Sequence, residues 1–365
     1  MQTLWVGTRK GLFVASRTGA GWRLGQPHFC GEPVSQFVVD PSSGAWYAAL
    51  RLGHFGVKVW KSTDGGKDWK EVASPAFPAK PTEGPWKDDP MPWSVDQVWS
   101  LEASSDGRLW AGCLPAGLFT SQDGGASWQL VNNLWDRPER SEWFGGGYDF
   151  PGIHSILVDP RDPSHVTIAI SCGGAWQTRN AGSTWTNTSA GMVAEFMPPE
   201  RREDPNIQDP HRIDQCAAHP DVLWCQHHGG IFRSTDGGAK WNAIAHPQPS
   251  GFGFAVAAHP TDPHRAWFVP ARSDTQRVAP EGGMVVTETR DGGATFSAHG
   301  RGLPQQDAYH LVYRHSLVAS ADGRTLALGS TTGGLWVSED EGHSWQCLSR
   351  DLPPIAVLRI GGNTA

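Results

Sequence analysis

Residues 62–69 read STDGGKDW, and five variants of this motif follow along the chain. They are SQDGGASW (121–128), TRNAGSTW (178–185), STDGGAKW (234–241), TRDGGATF (289–296) and SEDEGHSW (338–345). A degraded copy, SRTGAGW (16–22), has lost the aspartate. The closing aromatic residue returns at intervals of roughly 50 to 60 residues, a spacing typical of propeller blades. The repeat therefore predicts an all-β chain built from seven similar units.

Each unit contains four short apolar runs bounded by Gly, Pro and Asp, which predict four antiparallel strands. The chain begins with a run of the second-strand type (3–8) and ends with one of the first-strand type (354–361). We expect residues 354–361 to join the N-terminal blade as its innermost strand and to close the ring. The predicted fold is one seven-bladed β-propeller domain over residues 1–365. Its approximate blades are 3–30 with 354–361, 34–77, 95–135, 152–191, 211–249, 251–303 and 305–352.

Composition excludes several classes of protein. The net charge is −7, which argues against a nucleic-acid partner because such binders need a basic field. No apolar run approaches the length of a membrane span, and the N-terminus lacks the apolar core of a signal peptide. The six cysteines form no CxxC pair, as expected for reduced thiols. We therefore expect a cytoplasmic protein without a membrane or nucleic-acid partner.

The repeated aspartate predicts architecture rather than chemistry. An Asp at this position can accept hydrogen bonds from nearby backbone N–H groups and fold a tight turn, while the glycines allow positive φ. A catalytic group is rarely needed six times around a ring, and the further carboxylates of a calcium loop are missing. The residues assigned this structural role are Asp64, Asp123, Asn180, Asp236, Asp291 and Asp340.

The motif resembles the Asp-box (BNR) repeat of the sialidase-like β-propellers, and the resemblance covers the whole chain. That superfamily includes sialidases, xyloglucan-hydrolysing propellers, sortilin-type receptors and a photosystem assembly factor. The resemblance implies that the boxes lie away from the functional face. A classical sialidase is disfavoured, because those enzymes are six-bladed and carry an early Arg-Ile-Pro motif. Here Thr8-Arg9-Lys10-Gly11 stands in the first-blade loop instead.

Four long insertions point to one face of the ring. Residues 79–94, 136–151 and 192–210 connect one blade to the next, and 271–283 connects a second strand to a third. The boxes connect third strands to fourth strands, so all four insertions lie on the opposite face. Long loops on a rigid scaffold commonly carry binding sites, and we expect function on this face.

Aligning the first strands predicts which side chains meet at the mouth of the central channel. The alignment takes Asp40, Asp159, His219, His259 and His315 as strand ends on the box side. The residues five positions earlier then face the mouth. They are Ser35, His154, Asp214, Phe254 and His310, with Trp99 in the matching place.

These positions and their neighbours form the candidate site. The catalytic candidates are His154, Asp214, His310 and His227, since His and Asp can act as acid, base or ligand. The candidates for substrate binding are Arg9, Gln36, Arg51, His54, Gln97, Trp99, Arg212, His228 and Tyr309. No cofactor is required by the sequence. A divalent metal at the mouth is the alternative left open, with His154, His227 and His310 as its ligands.

Two functions remain open. In the first, the pocket acts on or binds a saccharide or another small polar substrate, as a glycoside-hydrolase-like enzyme or a lyase. Two carboxylates would act as a pair, and Trp99 and the loop aromatics would stack on sugar rings. The carboxylate candidates are Glu142, Asp149, Asp214 and Glu195, and the loop aromatics are Trp86, Trp93, Trp143 and Tyr148. In the second, the same face of a non-catalytic propeller binds a protein partner, as an assembly factor does. The sequence leaves the oligomeric state open.

Overall fold

The computed structural model describes residues 2–362 as seven four-stranded antiparallel sheets that form a β-propeller. Blade 1 contains Gln2–Thr8 (β1), Gly11–Thr18 (β2) and Gly21–Leu24 (β3). Blade 2 contains Val34–Val39 (β4), Trp46–Arg51 (β5), Val57–Ser62 (β6) and Lys70–Val72 (β7). Blade 3 contains Gln97–Ala103 (β8), Leu109–Leu114 (β9), Leu118–Ser121 (β10) and Gln129–Leu130 (β11). Blade 4 has Ile153–Asp159 (β12), Asp162–Ile170 (β13), Gly174–Thr178 (β14) and Thr186–Asn187 (β15), and blade 5 has Pro210–Gln215 (β16), Leu223–His227 (β17), Gly230–Ser234 (β18) and Asn242–Ala243 (β19). Blade 6 has Gly253–Ala258 (β20), Ala266–Pro270 (β21), Val286–Thr289 (β22) and Ser297–His299 (β23), blade 7 has Leu317–Ala319 (β24), Leu326–Gly329 (β25), Leu335–Ser338 (β26) and Gln346–Ser349 (β27), and Ile355–Gly362 (β28) completes blade 1.

The last strand closes the ring. β28 pairs antiparallel with β1, from Gln2 opposite Gly362 to Thr8 opposite Ile355. The order in this sheet is β28-β1-β2-β3, so the C-terminal strand is innermost. Both the seven blades and the closure are confirmed. Closure leaves neither chain end as an unpaired inner strand edge.

The six repeated motifs fold into one kind of turn, here called the box turn, between the third and fourth strands of a blade. In the first of them the Ser62 hydroxyl donates to Asp64 Oδ1 (2.8 Å) and accepts from the Gly66 N–H (2.9 Å). The Asp68 N–H also donates to Asp64 Oδ1 (3.0 Å), and Gly66 has a φ of +88°. The corresponding bonds recur at Asp123, Asn180, Asp236, Asp291 and Asp340. The side chains of the motif are therefore engaged in folding the turn.

Tryptophans fill the space between adjacent blades. Trp110 of β9 is fully buried and packs in one cluster with Ile156 of β12 and Trp185 of the next blade. The other blades bury large aromatic residues in the same way, including Trp176, Trp224, Trp267 and Trp336. Fully burying a large apolar side chain contributes roughly 1.5–3 kcal/mol. The high tryptophan content thus serves packing between blades.

The antiparallel order of the strands gives the ring two distinct faces. The box turns and the turns from first to second strands lie on one of them, here called the turn face. The connections from second to third strands and from blade to blade lie on the other, here called the loop face, where the four insertions were predicted. These connections contain the short α-helix Asn132–Trp135 (α1) and the 3₁₀ turns Gly53–Phe55, Pro138–Glu142, Pro199–Arg201 and Pro280–Gly282. Within residues 2–362 no helix has the length and apolarity needed to cross a membrane.

Candidate functional site

In blades 2 to 7, the inner strand or the residues just before it place one residue per blade at the same level of the channel. In blades 2, 3, 5, 6 and 7 the N–H of the residue that ends the first strand, here called the anchor, bonds back across the first turn, as for Asp40, Ser104 and His259. In blade 4 the corresponding residue, Asp159, pairs with Asp162. In blades 2 to 6 the residue five positions before the anchor lies at a bulge or irregularity where the strand meets the loop face. The spacing rule from the sequence holds, but two of its anchors were wrong. In blade 5 the anchor is Cys216 and not His219, and in blade 7 it is Ser320 and not His315.

The corrected anchors change two members of the ring. Five positions before Cys216 stands His211 rather than Asp214, and five before Ser320 stands His315 rather than His310. His315 is therefore not a turn residue of the turn face but lies in the channel. The ring at this level consists of Ser35, Trp99, His154, His211, Phe254 and His315.

A cavity of about 900 Å³ opens above this ring on the loop face. Five residues predicted to bind substrate line it, namely Arg9, Gln36, Arg51, Gln97 and Trp99. The insertion 136–151 contributes Gly146, Gly147 and Tyr148, and the insertion 271–283 contributes Arg277. The predicted loop face thus holds a pocket at the channel mouth.

Arg314 is the most unusual residue of this pocket. Its side chain is only 8 % exposed, and its guanidinium lies 4.6 Å from the Trp99 ring centroid and 5.5 Å from that of Phe254. Among residues 2–362 it makes no hydrogen bond or ion pair, and its buried Nε has no acceptor. Burial lowers the pKa of Arg314, and the negative charge of Asp209 opposes that shift. A buried cation without an anionic partner is costly, which distinguishes Arg314 from the paired arginines of the fold.

A polar network spans the channel beneath the pocket. His315 Nε2 donates to the backbone carbonyl of His154 (2.6 Å), which leaves Nδ1 as the acceptor for Gln36 Nε2 (3.1 Å). Gln36 also donates to the Trp99 carbonyl (2.7 Å). Burial lowers the pKa of His315 well below its usual range, so the ring is neutral at neutral pH. The network joins blades 2, 3, 4 and 7 and forms the floor of the pocket.

His154 and His227 occupy buried structural environments. His154 lies behind Trp99, with ring centroids 5.5 Å apart, and burial lowers its pKa well below the usual range. Both nitrogens of His227 face backbone N–H groups, of Asp209 and of Gly229 (3.0 Å each). Burial lowers the pKa of His227 to about 3. Neither histidine lines the pocket, so both predicted catalytic roles lack a path to substrate in this arrangement.

Asp214 and Arg212 lie toward the other end of the channel. Both border a smaller cavity that opens on the turn face, together with Glu102 and Arg359. Asp214 Oδ2 accepts from the Ala258 N–H (2.8 Å), and burial raises the pKa of the Asp214 carboxyl. The placement of Asp214 and Arg212 at the loop-face mouth is therefore wrong. The cause is the misplaced anchor in blade 5.

Three further candidates stand outside the pocket. His310 packs on the Trp336 ring and bonds to the Thr332 hydroxyl (2.5 Å), so its contacts are within blade 7. His54 is exposed and lies against Phe55, whereas its neighbour Gly53 does line the pocket. Tyr309 is 71 % exposed and does not line it.

The carboxylates proposed as partners for glycoside cleavage are also elsewhere. Glu142 is paired with Arg201 on the surface (3.4 Å), and Asp149 and Glu195 are exposed outside the pocket lining. Within the described chain the pocket lining contains one carboxylate, Asp96, which pairs with Arg51 (2.8 Å).

Three of the four loop aromatics pack the loops instead of facing the pocket. Trp86 covers the Arg140 guanidinium, and Trp143 is buried against Trp176. The Trp93 ring packs on Trp135. Tyr148 is the exception, because it lines the pocket with its ring 5.0 Å from that of Trp99.

His228 belongs to a cluster beside the pocket that the sequence did not predict. Its Nδ1 lies 3.4 Å from Asp209 Oδ2, and His211 Nε2 lies 3.4 Å from the same oxygen. The three side chains offer ligand atoms within 4.8 Å of one another. The predicted metal ligands His154, His227 and His310 form no such group among residues 2–362.

Of the residues that the sequence analysis missed, His211 follows from the same register error. Pro210-His211 opposes His227 at the start of β16 as Ile153 opposes Ile170 at the start of β12. Matching strand beginnings instead of strand ends would have found His211. Arg314 lies in an irregular stretch before the three-residue strand β24, and no pattern in the sequence marks it.

No protein-family model matches this chain, and no curated protein sequence matches it significantly. Among solved structures it is similar to an ancestral GH74 enzyme, with a TM-score of 0.60 and 16 % identity over 92 % of this chain and 37 % of that one. It is also similar to YCF48 from Cyanidioschyzon merolae, with a TM-score of 0.55 and 13 % identity over 88 % and 87 % of the two chains. A structure of YCF48 bound to D1 peptide gives a TM-score of 0.51 and 12 % identity over 86 % and 83 %.

At these low sequence identities, the structural similarity shows a shared β-propeller fold and does not extend to function. The chain spans 37 % of the length of the GH74 enzyme. The likeness agrees with the β-propeller fold that the repeated motif predicted.

Proposed function

We propose that the protein binds a small polar ligand with an anionic group, of the acidic-saccharide class, in the loop-face pocket. Arg314 carries this proposal. A guanidinium that is nine-tenths buried and lacks a hydrogen-bonding partner within residues 2–362 can be satisfied by an anion entering from the pocket. Arginine is well suited to this task because its planar donors match a carboxylate in a bidentate arrangement.

The charge of the lining supports an anionic ligand. Arg9, Lys10, Arg277 and Arg314 line the pocket in addition to the Arg51–Asp96 pair. The pocket is therefore positively charged although the chain as a whole has a net charge of −7. Such a local field attracts anionic ligands.

The aromatic walls support a ring-shaped ligand. Trp99, Tyr148 and Phe254 surround the guanidinium of Arg314 with flat apolar surface. A pocket of this kind, with apolar walls and a few polar groups, is typical of small-molecule sites. The apolar face of a sugar ring would pack on these walls while its acidic group meets Arg314.

Binding is favoured over two-carboxylate hydrolysis. Retaining and inverting glycosidases place two carboxyl groups about 5 to 9.5 Å apart around the scissile bond. In the described part of the chain the pocket lining offers only Asp96, which is already paired. The hydrolase hypothesis would need a second carboxylate from outside this lining.

The experiment is calorimetric titration with oligogalacturonates as acidic probes and cello-oligosaccharides as neutral ones. We expect measurable binding of the acidic probe alone. Arg314→Gln should weaken that binding by about 10- to 100-fold, since a hydrogen bond to a charged group contributes about 1.5–3 kcal/mol. Arg301→Gln is the matched control, because Arg301 is 77 % exposed and lies outside the pocket lining. Equal binding of both probes, or equal effects of both variants, would contradict the proposal.

A protein partner on the same face is the second candidate. The most exposed large hydrophobic residues of the described chain, Phe55, Phe144, Tyr148, Phe196 and Tyr309, all lie in loop-face connections. Exposed apolar residues gathered on one face are typical of a protein-binding surface. A double variant, Phe55→Ser with Tyr309→Ser, tests it: loss of a captured partner without loss of the acidic probe would favour this candidate.

A further inference from the structure

Three side chains beside the pocket are brought together by the pairing of β16 with β17. Pro210 opposes His227, and the His228 N–H donates to the Asp209 carbonyl (2.9 Å). Asp209 and His211 flank Pro210, and His228 follows the end of β17. The strand pairing thus places His211 in a strand and holds Asp209 and His228 directly at the adjoining strand ends.

Two of the three separations between their ligand atoms match those around a tetrahedral Zn²⁺ ion, and the third lies within 4.8 Å. Asp209 Oδ2 lies 3.4 Å from His211 Nε2 and 3.4 Å from His228 Nδ1. Two ligand atoms that each lie about 2.0–2.1 Å from a tetrahedrally coordinated Zn²⁺ are about 3.4 Å apart. The same separations are too long for charge-assisted hydrogen bonds, which measure about 2.7–2.9 Å.

Hydrogen bonds on the far side of the ligands fix their orientation. His211 Nδ1 donates to the Gly253 carbonyl (2.6 Å), because a carbonyl can only accept. In the neutral ring, Nε2 then directs a lone pair at the carboxylate of Asp209, so two acceptors face each other. A cation between them turns this repulsion into attraction.

Further contacts orient the other two candidate ligands, Asp209 and His228. Asp209 Oδ1 accepts from the Cys172 N–H (3.2 Å), which leaves Oδ2 for the ion. His228 Nε2 faces the Asp274 carboxylate at 3.7 Å while Nδ1 faces Asp209. Histidines that bind metals usually direct their second nitrogen at a carbonyl or carboxylate in this way.

We propose that Asp209, His211 and His228 bind a divalent transition-metal ion, with Zn²⁺ as the probe that fits best. Two imidazoles and one carboxylate are ligands that Zn²⁺ accepts, and three protein ligands leave a fourth position for water or a bound molecule. Gly146 lines the pocket next to this site, and a Cβ there would stand 3.1 Å from Asp209 Oδ2. The ion would therefore lie at the edge of the pocket.

A second cluster of similar composition carries no such inference. Glu288, His299 and His343 also offer three close ligand atoms. Glu288 already pairs with Arg265 and with Arg290, which satisfy its negative charge. This cluster supplies the matched control for the test.

The experiment titrates chelator-treated protein with ZnCl₂ by calorimetry, and with Co²⁺ by absorption, in the absence of any saccharide. We expect one equivalent bound, with a visible Co²⁺ spectrum of tetrahedral type. His228→Ala should weaken binding by at least about 10-fold, since even loss of an outer hydrogen bond to a ligand costs about 10- to 100-fold. His343→Ala should bind as the wild type does.

Asp209→Asn is the second ligand variant, and circular dichroism of each variant checks that it is folded. Stoichiometric binding that both ligand variants lose supports the site. Absence of stoichiometric binding, or binding that survives both variants, overturns it and leaves a histidine–aspartate ion pair. Since no saccharide is present, failure here is distinguishable from failure of the anion-binding function.

Discussion

The buried pair Arg140–Asp89 gives a sharp test of how the loop face is held in place. Arg140 is fully buried, with Nη1 2.8 Å from Asp89 Oδ2 and Nε 2.5 Å from the Trp135 carbonyl. Its guanidinium lies between the rings of Trp86 and Trp135, 3.9 Å from each centroid. The pair therefore fastens the insertion 79–94 to the one that begins at residue 136.

The perturbation is Arg140→Met, which keeps much of the side-chain volume and removes the charge. Asp89 would remain buried, with only the Trp93 indole N–H (3.0 Å) and the Met91 N–H (3.1 Å) as donors. Removing one partner of a buried ion pair costs about 3–5 kcal/mol, because the other charge stays desolvated. With an unfolding entropy of about 2.1 cal/mol/K per residue over 365 residues, this corresponds to a Tm lower by about 4–6.5 °C.

The assay is thermal denaturation of the wild type, Arg140→Met, Asp89→Asn and the double variant. We expect the double variant to lose less stability than the two single losses added together, since it leaves no unpaired charge. Arg201→Met is the control, because Arg201 forms surface pairs with side chains that are 44 % and 23 % exposed, which contribute about 0–1 kcal/mol. A Tm of Arg140→Met within about 1 °C of that control would refute the reasoning.

Two further predictions concern the charged side chains of Asp123 and Arg314. Hydrogen bonds from Ser127 and Ser121 lower the pKa of Asp123 in its box turn to about 2, below its value in the unfolded chain. The ionised Asp123 therefore stabilises the folded protein above about pH 4, and this contribution is lost as the pH falls toward 2. Thermal melts from pH 5 to 2 should therefore fall more steeply for the wild type than for Asp123→Asn, and a steeper fall in the variant would contradict the assignment. Arg314→Met should leave the Tm unchanged or raise it, because the substitution removes a buried cation that makes no hydrogen bond or ion pair within residues 2–362. A Tm loss as large as that of Arg140→Met would show that Arg314 is structural.

The local patterns of the chain were sufficient for the architecture. Each box motif folds its own turn through bonds that span four residues, from Ser62 to Gly66 and from Asp64 to Asp68. The incomplete units at the two ends predicted that β28 would pair with β1. These features depend on residues close in sequence or on the count of repeats, and for this reason they can be predicted without coordinates.

The residues of the candidate site could not all be predicted from local sequence patterns. The rule that placed His154 and Trp99 in the channel was sound, yet it failed in blades 5 and 7 because the histidines chosen there do not close the first strand. His219 lies in the turn, three residues after Cys216, and His315 lies five residues before Ser320. A shift in the anchor moves a different residue to the mouth, so Asp214 was predicted where His211 stands.

The sequence by itself determined seven blades, the closing strand and the face on which the pocket would open, since these follow from repeated strands and turns. Tertiary structure decided which side chains of different blades contact one another there. Gln36 reaches His315 across 279 residues of sequence, and Arg314 lies between rings from blades 3 and 6. Such contacts arise where inner strands of different blades converge on one axis. No spacing within a single blade encodes that convergence.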